Sequence, residues 1–234
     1  MPDVTVIIPA YNEAPRLAQV LNAVQRATLV EGIIVVDDGS ADATSEVARA
    51  HGVRVIRHAK NTGKGSAMRT GALAAQSELL LFLDADLRHL QPAQVDALIT
   101  PVAGGQAAMS VGTFRGGKAA TDFAQRISPN LSGQRCLHRD FFLSAPLVEG
   151  SRFGVEIALT IHARACNLTR KLVILVGVDH PVREEKLGLW HGVMSRIRMY
   201  AEILFTYLRY HLNTHNYVQG DLKQGDIVNI KTES

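Results

Sequence analysis

The chain has 234 residues, 47% of them apolar, and its 25 Lys and Arg against 22 Asp and Glu leave a net charge of +3. That length holds one domain with an elaboration and suffices to bury a substantial core. The weak positive balance, spread over short clusters, argues against a dedicated duplex-DNA binder and for phosphorylated ligands or an anionic surface, while two cysteines, Cys136 and Cys166, fit neither a disulfide framework nor a zinc site.

The opening MPDVTVIIPAYNE has no basic leader or small-residue cleavage site, so a cytoplasmic location is expected. Val4 to Ile8 is a buried first strand closed by Pro9, and after the loop AYNEAP the spacing of Leu17, Val20, Leu21 and Val24 predicts a helix with Asn12 as its cap and Pro15 in its first turn. Ile33 to Val36 is a second strand that empties into Asp37-Asp38-Gly39-Ser40, followed by a helix through Val47 that stops near Gly52. Val53 to Arg57 reads as a third strand, and HAKNTGKGSAMRTG as a glycine-rich turn leading into a small-residue helix. The repeating order of strand and helix predicts a doubly wound, mostly parallel sheet.

Leu79 to Leu87, LLLFLDADL, is an unbroken apolar run ending in two carboxylates one residue apart. Such a run predicts a parallel strand buried on both faces, whose C-terminal end is where open α/β sheets place ligands. Asp84 and Asp86, two apart on an extended strand, would aim at one Mg²⁺ or Mn²⁺ that in turn holds a diphosphate.

Beyond it, Pro92 to Ile99 reads as a helix, Ala107 to Thr113 as a strand leading into FRGGK, SPNLSGQRCLHRD as loop, SRFGVEIALTIHARA as helix and Leu172 to Val178 as a late strand. The stretch 193–212 is apolar but cut by Arg196, Arg198, Glu202 and Arg209, so it falls short of the roughly 18 uninterrupted residues of a spanning helix. At about 100° per residue it is strongly amphipathic instead. Its apolar face has three candidate partners: the sheet domain, a second subunit in a homodimer, or the interface of a membrane, with Arg198 and Arg209 near lipid phosphates. A polar tail runs from Asn213.

The turn Asn61 to Ser66 is not a Walker A loop, because Gly65 stands where Ser or Thr must hold Mg²⁺. Lys64 between two glycines still suits a phosphate. A haloacid-dehalogenase reading of Asp84-x-Asp86 is disfavoured by Arg88 four positions on and by the mid-chain location.

Taken together, PAYNEA at 9–14, VDDGS at 36–40, GKGSAMRTG at 63–71 and LDADL at 83–87 resemble the nucleotide-sugar-binding half of family 2 glycosyltransferases of the GT-A fold. The resemblance implies that Pro9, Tyr11, Glu13 and Asp38 line the base and ribose of a UDP- or GDP-sugar, that Lys64 faces the same nucleotide, that Asp84 meets the ribose or metal, and that Asp86 holds the metal, Mg²⁺ or Mn²⁺. In the second half GTFRGG, LSGQRCLHR and HPVREEKLG are similar to acceptor-side segments of polyprenyl-phosphate glycosyltransferases and their soluble relatives, which implies that Arg115, Arg135, Arg183 and Lys186 grip an acceptor phosphate. FGVEIAL resembles the helix start that carries a sugar-facing acid in glucosyl-3-phosphoglycerate synthase-type enzymes, which makes Glu156 the catalytic candidate; Ala158 stands where a second acid often does. His180, ahead of His191, is the candidate imidazole for the metal shell.

The resulting expectation is a GT-A domain over 1–190, with its donor half at 1–90 and its acceptor half at 91–190, then an amphipathic helix over 191–212 and a tail over 213–234. It would move a sugar from a nucleotide diphosphate sugar to a phosphate-bearing acceptor, polyprenyl phosphate among the candidates, on the cytoplasmic face of a membrane or in the cytoplasm. Two rival readings remain: a sugar-phosphate nucleotidyltransferase, which normally has a glycine-rich phosphate loop where this chain has AYNEAP, and a non-catalytic nucleotide-sugar-binding protein.

Overall fold

In the computed structural model residues 2–115, 132–145 and 154–179 are described. Their strands are β1 (Val4–Ala10), β2 (Gly32–Asp37), β3 (Arg54–Arg57), β4 (Leu79–Phe82), β5 (Met109–Arg115), β6 (Arg135–His138) and β7 (Arg170–Val176). The helices are α1 (Ala14–Val24), α2 (Thr44–Ala50), α3 (Lys64–Ala74), α4 (Pro92–Ala103), α5 (Arg139–Ser144) and α6 (Val155–Ala165). One seven-stranded sheet has the order β3-β2-β1-β4-β6-β5-β7, parallel except for β6, which runs against both of its neighbours.

Alternation along the central strands divides the core into two layers. Val4, Val6 and Ile8 of β1, with Leu79 and Leu81 of β4, face Leu17, Val20 and Leu21 of α1 and Val95, Leu98 and Ile99 of α4. On the opposite face Ile7, Leu80 and Phe82 meet Ala67 and Met68 of α3, Phe142 of α5, and Val155 and Leu159 of α6. The unbroken apolar runs are therefore strands covered by helices on both sides.

Several sequence expectations are corrected. Pro9 does not end β1: it lies inside the strand, opposite Val36. Ile7 bonds on the β4 side, where Leu83 donates to its carbonyl, so Pro9 two residues on faces that same side beyond the last paired residue of β4 and costs no ladder bond. Asn12 does not cap α1. It sits at φ 55, and the partly buried helix-start N–H of Ala14 is taken by Asp42 at 3.1 Å. The segment expected to be a loop around Arg135 contains β6 and α5, with β6 filling the centre of the sheet. β4 stops at Phe82, so Asp84 and Asp86 lie in the turn beyond the strand. The amphipathic stretch 193–212, His180, Arg183, Lys186 and His191 fall outside the described residues.

Candidate active site

Every parallel strand ends at one edge of the sheet, and β6, being antiparallel, begins there. The acidic turns after β2 and β4, the Ser132–Gln134 segment before β6 and the N-terminal ends of α3 and α6 consequently share one rim.

The first acidic turn is a structural hub. Asp37 is fully buried and accepts from Ser40 N at 2.8 Å and from the Ser45 hydroxyl. Burial alone would raise its pKa, but those hydrogen bonds and the Arg57 charge bring it below the ordinary carboxylate value. Asp38 is 3% exposed and accepts from Gly63 N at 2.7 Å, from Thr62 N at 2.9 Å and Thr62 Oγ1 at 2.8 Å, and pairs with His58 Nδ1 at 2.7 Å. His58 Nε2 in turn reaches Thr70 Oγ1 at 2.9 Å. Both Asp38 oxygens are thus engaged in fixing the loop that delivers Lys64, while the sequence expectation is that they face a base or ribose.

The same turn is zipped to the loop after β1. Asn12 N donates to Ser40 Oγ at 2.9 Å, Ala41 N to Asn12 Oδ1 at 2.8 Å and Glu13 N to Thr44 Oγ1 at 2.9 Å. Glu13 pairs with Arg16 at 3.0 Å. Tyr11 stands 47% exposed on this rim, an open aromatic face beside partly buried Pro9.

The second turn brings an ammonium and carboxylates together. Lys64 Nζ lies 2.6 Å from Asp84 Oδ1 and 2.6 Å from Glu156 Oε1, joining the start of α3 to the turn after β4 and to the start of α6. Gly63, at φ 100, turns the chain into α3 in a conformation that disfavours a side chain. Burial pulls the Lys64 pKa down, but the charges of Asp84 and Glu156 outweigh it and hold the ammonium above its ordinary value. Glu156 is 7% exposed. Asp86 is partly buried in the same turn.

Gln134 and Gly133 were not singled out from the sequence. Gln134 Nε2 donates to Asp84 Oδ2 at 2.8 Å and is itself held through Ser132 Oγ at 2.7 Å. A Cβ on Gly133 would come within 2.6 Å of Lys64 Nζ and 2.7 Å of Asp84 Oδ2, so a side chain there would push the Lys64–Asp84 pair aside. The one signal in the sequence is the small-residue pair Ser132-Gly133 ahead of a polar side chain.

Arg135 does not fit the acceptor-gripping expectation. It is fully buried, its Nε donating to Ser132 O at 2.9 Å and its Nη1 to Thr160 Oγ1 at 2.9 Å, while Thr160 Oγ1 donates to the Glu156 carbonyl at 2.8 Å. Burial lowers the guanidinium to about 10, against the opposing pull of Glu156, so it remains a cation braced beneath α6. Arg115 is exposed at the end of β5. The backbone of Arg88, two residues past Asp86, pairs with Asp179 at 2.8 Å, bringing the residue before His180 to the acidic turn. Asp179 Oδ1 is buried without a hydrogen-bond partner.

A mostly parallel sheet flanked by helices, with acidic turns after β2 and β4 on one rim, defines the GT-A class of α/β fold. The chain belongs to glycosyl transferase family 2, whose family model matches residues 5–157. It is 27% identical over 195 residues to glucosyl-3-phosphoglycerate synthase of Mycobacterium tuberculosis, covering 68% of this chain and 60% of that one. A crystal structure of that synthase with Mn²⁺, uridine diphosphate and glucosyl-3-phosphoglycerate superposes with a TM-score of 0.69 at 27% identity, over 88% of this chain and 80% of that one. The chain is also 41% identical over 100 residues to dolichyl-phosphate beta-glucosyltransferase of Drosophila melanogaster, covering 36% of this chain and 31% of that one. It spans less than two thirds of the length of these two curated relatives. Among the described residues no helix is long and apolar enough to cross a membrane.

Proposed function

We propose that this chain transfers a sugar from a nucleotide diphosphate sugar, UDP- or GDP-linked, to an acceptor that carries a phosphate. The observation that carries the reading is the meeting of Asp84, Lys64 and Glu156 on the rim where an α/β sheet binds ligands. The mycobacterial relative, solved with uridine diphosphate, Mn²⁺ and a phosphorylated product, supports both ends of the reaction. The family match disfavours the nucleotidyltransferase reading, and a paired acid and ammonium beside the acidic turn disfavour a binding-only protein.

The residues present suit Mg²⁺ or Mn²⁺. Asp84 and Asp86 offer hard carboxylate oxygens, and among the described residues no group of three His, Cys, Asp or Glu forms a closed cage. An ion held by one or two carboxylates and completed by diphosphate oxygens and water matches the preference of Mg²⁺. His180, which follows the Arg88–Asp179 bridge, is the proposed further ligand. When bound, the cation offsets the charge of the departing diphosphate.

The protein groups do the rest. Tyr11, Pro9 and Glu13 form the rim against which the nucleoside rests, and Asp38 keeps the Lys64 loop in position beneath it. The bond from the anomeric carbon to the diphosphate breaks, a bond to an acceptor oxygen forms, and the acceptor gives up a proton. Glu156, poised at the N-terminal end of α6 and facing Lys64, is the proposed group that orients the sugar or takes that proton. Arg115, Arg183 and Lys186 are the proposed holders of the acceptor phosphate; Arg135 acts from below by bracing α6. A lipid-linked acceptor would be met at a membrane surface through the amphipathic stretch 193–212, a soluble one in solution.

The test is a thermal-shift series with UDP and GDP, with and without Mn²⁺, on the wild-type chain and on Asp86→Ala. One nucleotide should stabilise the wild type more strongly when metal is present, and Asp86→Ala should lose that gain while keeping its fold. Metal-dependent stabilisation that survives unchanged in Asp86→Ala removes Asp86 from the metal shell. Sugar transfer is then assayed against 3-phosphoglycerate-type acceptors and against polyprenyl phosphate in vesicles, which separates the two acceptor classes.

A further inference from the structure

On the donor reading above, a diphosphate and a divalent cation come to the turn that holds Asp84 and Asp86. A cation of the protein's own already occupies that place. Lys64 Nζ is 2.6 Å from Asp84 Oδ1 and equally close to Glu156 Oε1, and Gln134 holds the other Asp84 oxygen at 2.8 Å. The Gly133 backbone lies directly against the pair. A divalent ion approaching Asp84 Oδ1 therefore meets an ammonium at contact distance, and the two like charges compete for one carboxylate.

We infer that Lys64 is a built-in counter-cation that blocks metal binding until the donor arrives, and so couples the two. Without donor, the ammonium neutralises Asp84 and Glu156, which would otherwise be two carboxylates facing each other across the cleft. When the diphosphate enters, it offers the ammonium an alternative anion, Lys64 swings to it, and Asp84 is released to the incoming cation. The side chain has the means to do this: its stem is long and rotatable, it is still 26% exposed, and its backbone stays fixed because Gly63 N is held by Asp38. The sequence expectation that Lys64 faces the nucleotide describes the end of this exchange. Lys64 is thus a positioning residue whose charge orders the assembly of the donor site, and by reciprocity metal must tighten nucleotide binding by the same factor as nucleotide tightens metal.

The experiment measures Mn²⁺ binding to the full chain by the loss of the free-ion electron paramagnetic resonance signal, with and without UDP or GDP. In the wild type Mn²⁺ alone should bind at least about tenfold more weakly than with the nucleotide; in Lys64→Met, Mn²⁺ alone should bind at least about fivefold more tightly than in wild type, and the gain from nucleotide should shrink. Lys64→Arg, which keeps the charge, should retain weak binding of metal alone. Lys64→Gln, which is neutral but keeps a polar N–H donor, decides the matter if Lys64→Met does not fold. Metal-alone affinity in the folded neutral variant that is equal to or below wild type overturns the inference while leaving the donor reading intact. A wild-type chain that binds neither Mn²⁺ nor either nucleotide overturns the donor reading and this inference with it.

Discussion

Asp38 separates a structural role from a ligand-facing one, and its removal gives a measurable answer. In Asp38→Ala the N–H groups of Thr62 and Gly63 lose the oxygens they donate to at 2.9 and 2.7 Å. The side chains of His58 and Thr62 can re-pair, because Thr62 Oγ1 already lies 2.9 Å from His58 Nδ1, so the lasting loss is the two backbone donors. Gly63 N is the buried donor of the two, and water can reach the N–H of exposed Thr62, so at about 1–3 kcal/mol for a buried donor left without a partner the expected destabilisation is about 1–3 kcal/mol. For a chain of this size that lowers the melting temperature by roughly 2–4 °C per kcal/mol. Asp38→Asn keeps one acceptor oxygen and should lose about half as much. Urea unfolding with an unchanged slope is the assay, supported by faster amide exchange at Gly63. The reasoning is refuted if Asp38→Ala loses less than about 0.5 kcal/mol of stability while nucleotide affinity falls more than about tenfold. That pair of results would return Asp38 to the base or ribose.

The remaining predictions follow from the same contacts. Glu156→Gln keeps its shape and loses its charge, and turnover should fall about a hundredfold or more with donor affinity little changed; turnover within a factor of two of wild type would count against a proton-transfer role. Gly71→Ala would place a Cβ 2.5 Å from Ile7 Cγ2 where α3 rests on β1, so overpacking of about 1–3 kcal/mol should exceed the gain of about 1 kcal/mol in helix propensity, and calorimetry should show a net loss. Asp37 has a folded pKa below its ordinary value, so its contribution to stability is complete above the unfolded value of about 3.9 and fades as pH falls through the lower folded value. The stability gap between wild type and Asp37→Asn should therefore be constant near neutrality and narrow below about pH 4, and a gap that widens on acidification would contradict the shift.

What the sequence conveyed of the fold depended on whether a signal was local. β1, β2 and β4 announce themselves because strands covered on both faces must be apolar throughout, and Ile7 and Leu81, on opposite faces, are both fully buried. β6 gives no such signal. It has four residues, one of them Arg135, too few for a period, and it becomes a strand only because β4 and β5 pair with it from either side. Arg135 itself reads as surface since Arg is rarely buried; its burial depends on Ser132 and Thr160, whose proximity the sequence does not reveal. Asp84 and Asp86 lie in a turn and not on the strand, because the apolar run through Leu83, Ala85 and Leu87 continues after the strand pairing has stopped at Phe82.

The site follows the same division. The loops at 9–14, 37–44 and 58–64 fix one another through bonds between motifs that the sequence displays in order, so their association is legible as a set. The charge arrangement at its centre was not, because it is made across the chain: Lys64 meets Glu156 over a separation of 92 residues, and Gln134 meets Asp84 over 50. Each of these side chains taken alone is an ordinary polar residue beside a turn. They are brought together by the antiparallel insertion of β6, which places the Ser132–Gln134 segment beside Asp84 and, through Arg135 and Thr160, supports the helix that carries Glu156. The strand that sequence patterning missed is therefore the one that joins the two halves of the site. Variation in the 132–135 segment should accordingly act on the acidic turn and on the start of α6 together, since Gln134 faces one and Arg135 the other.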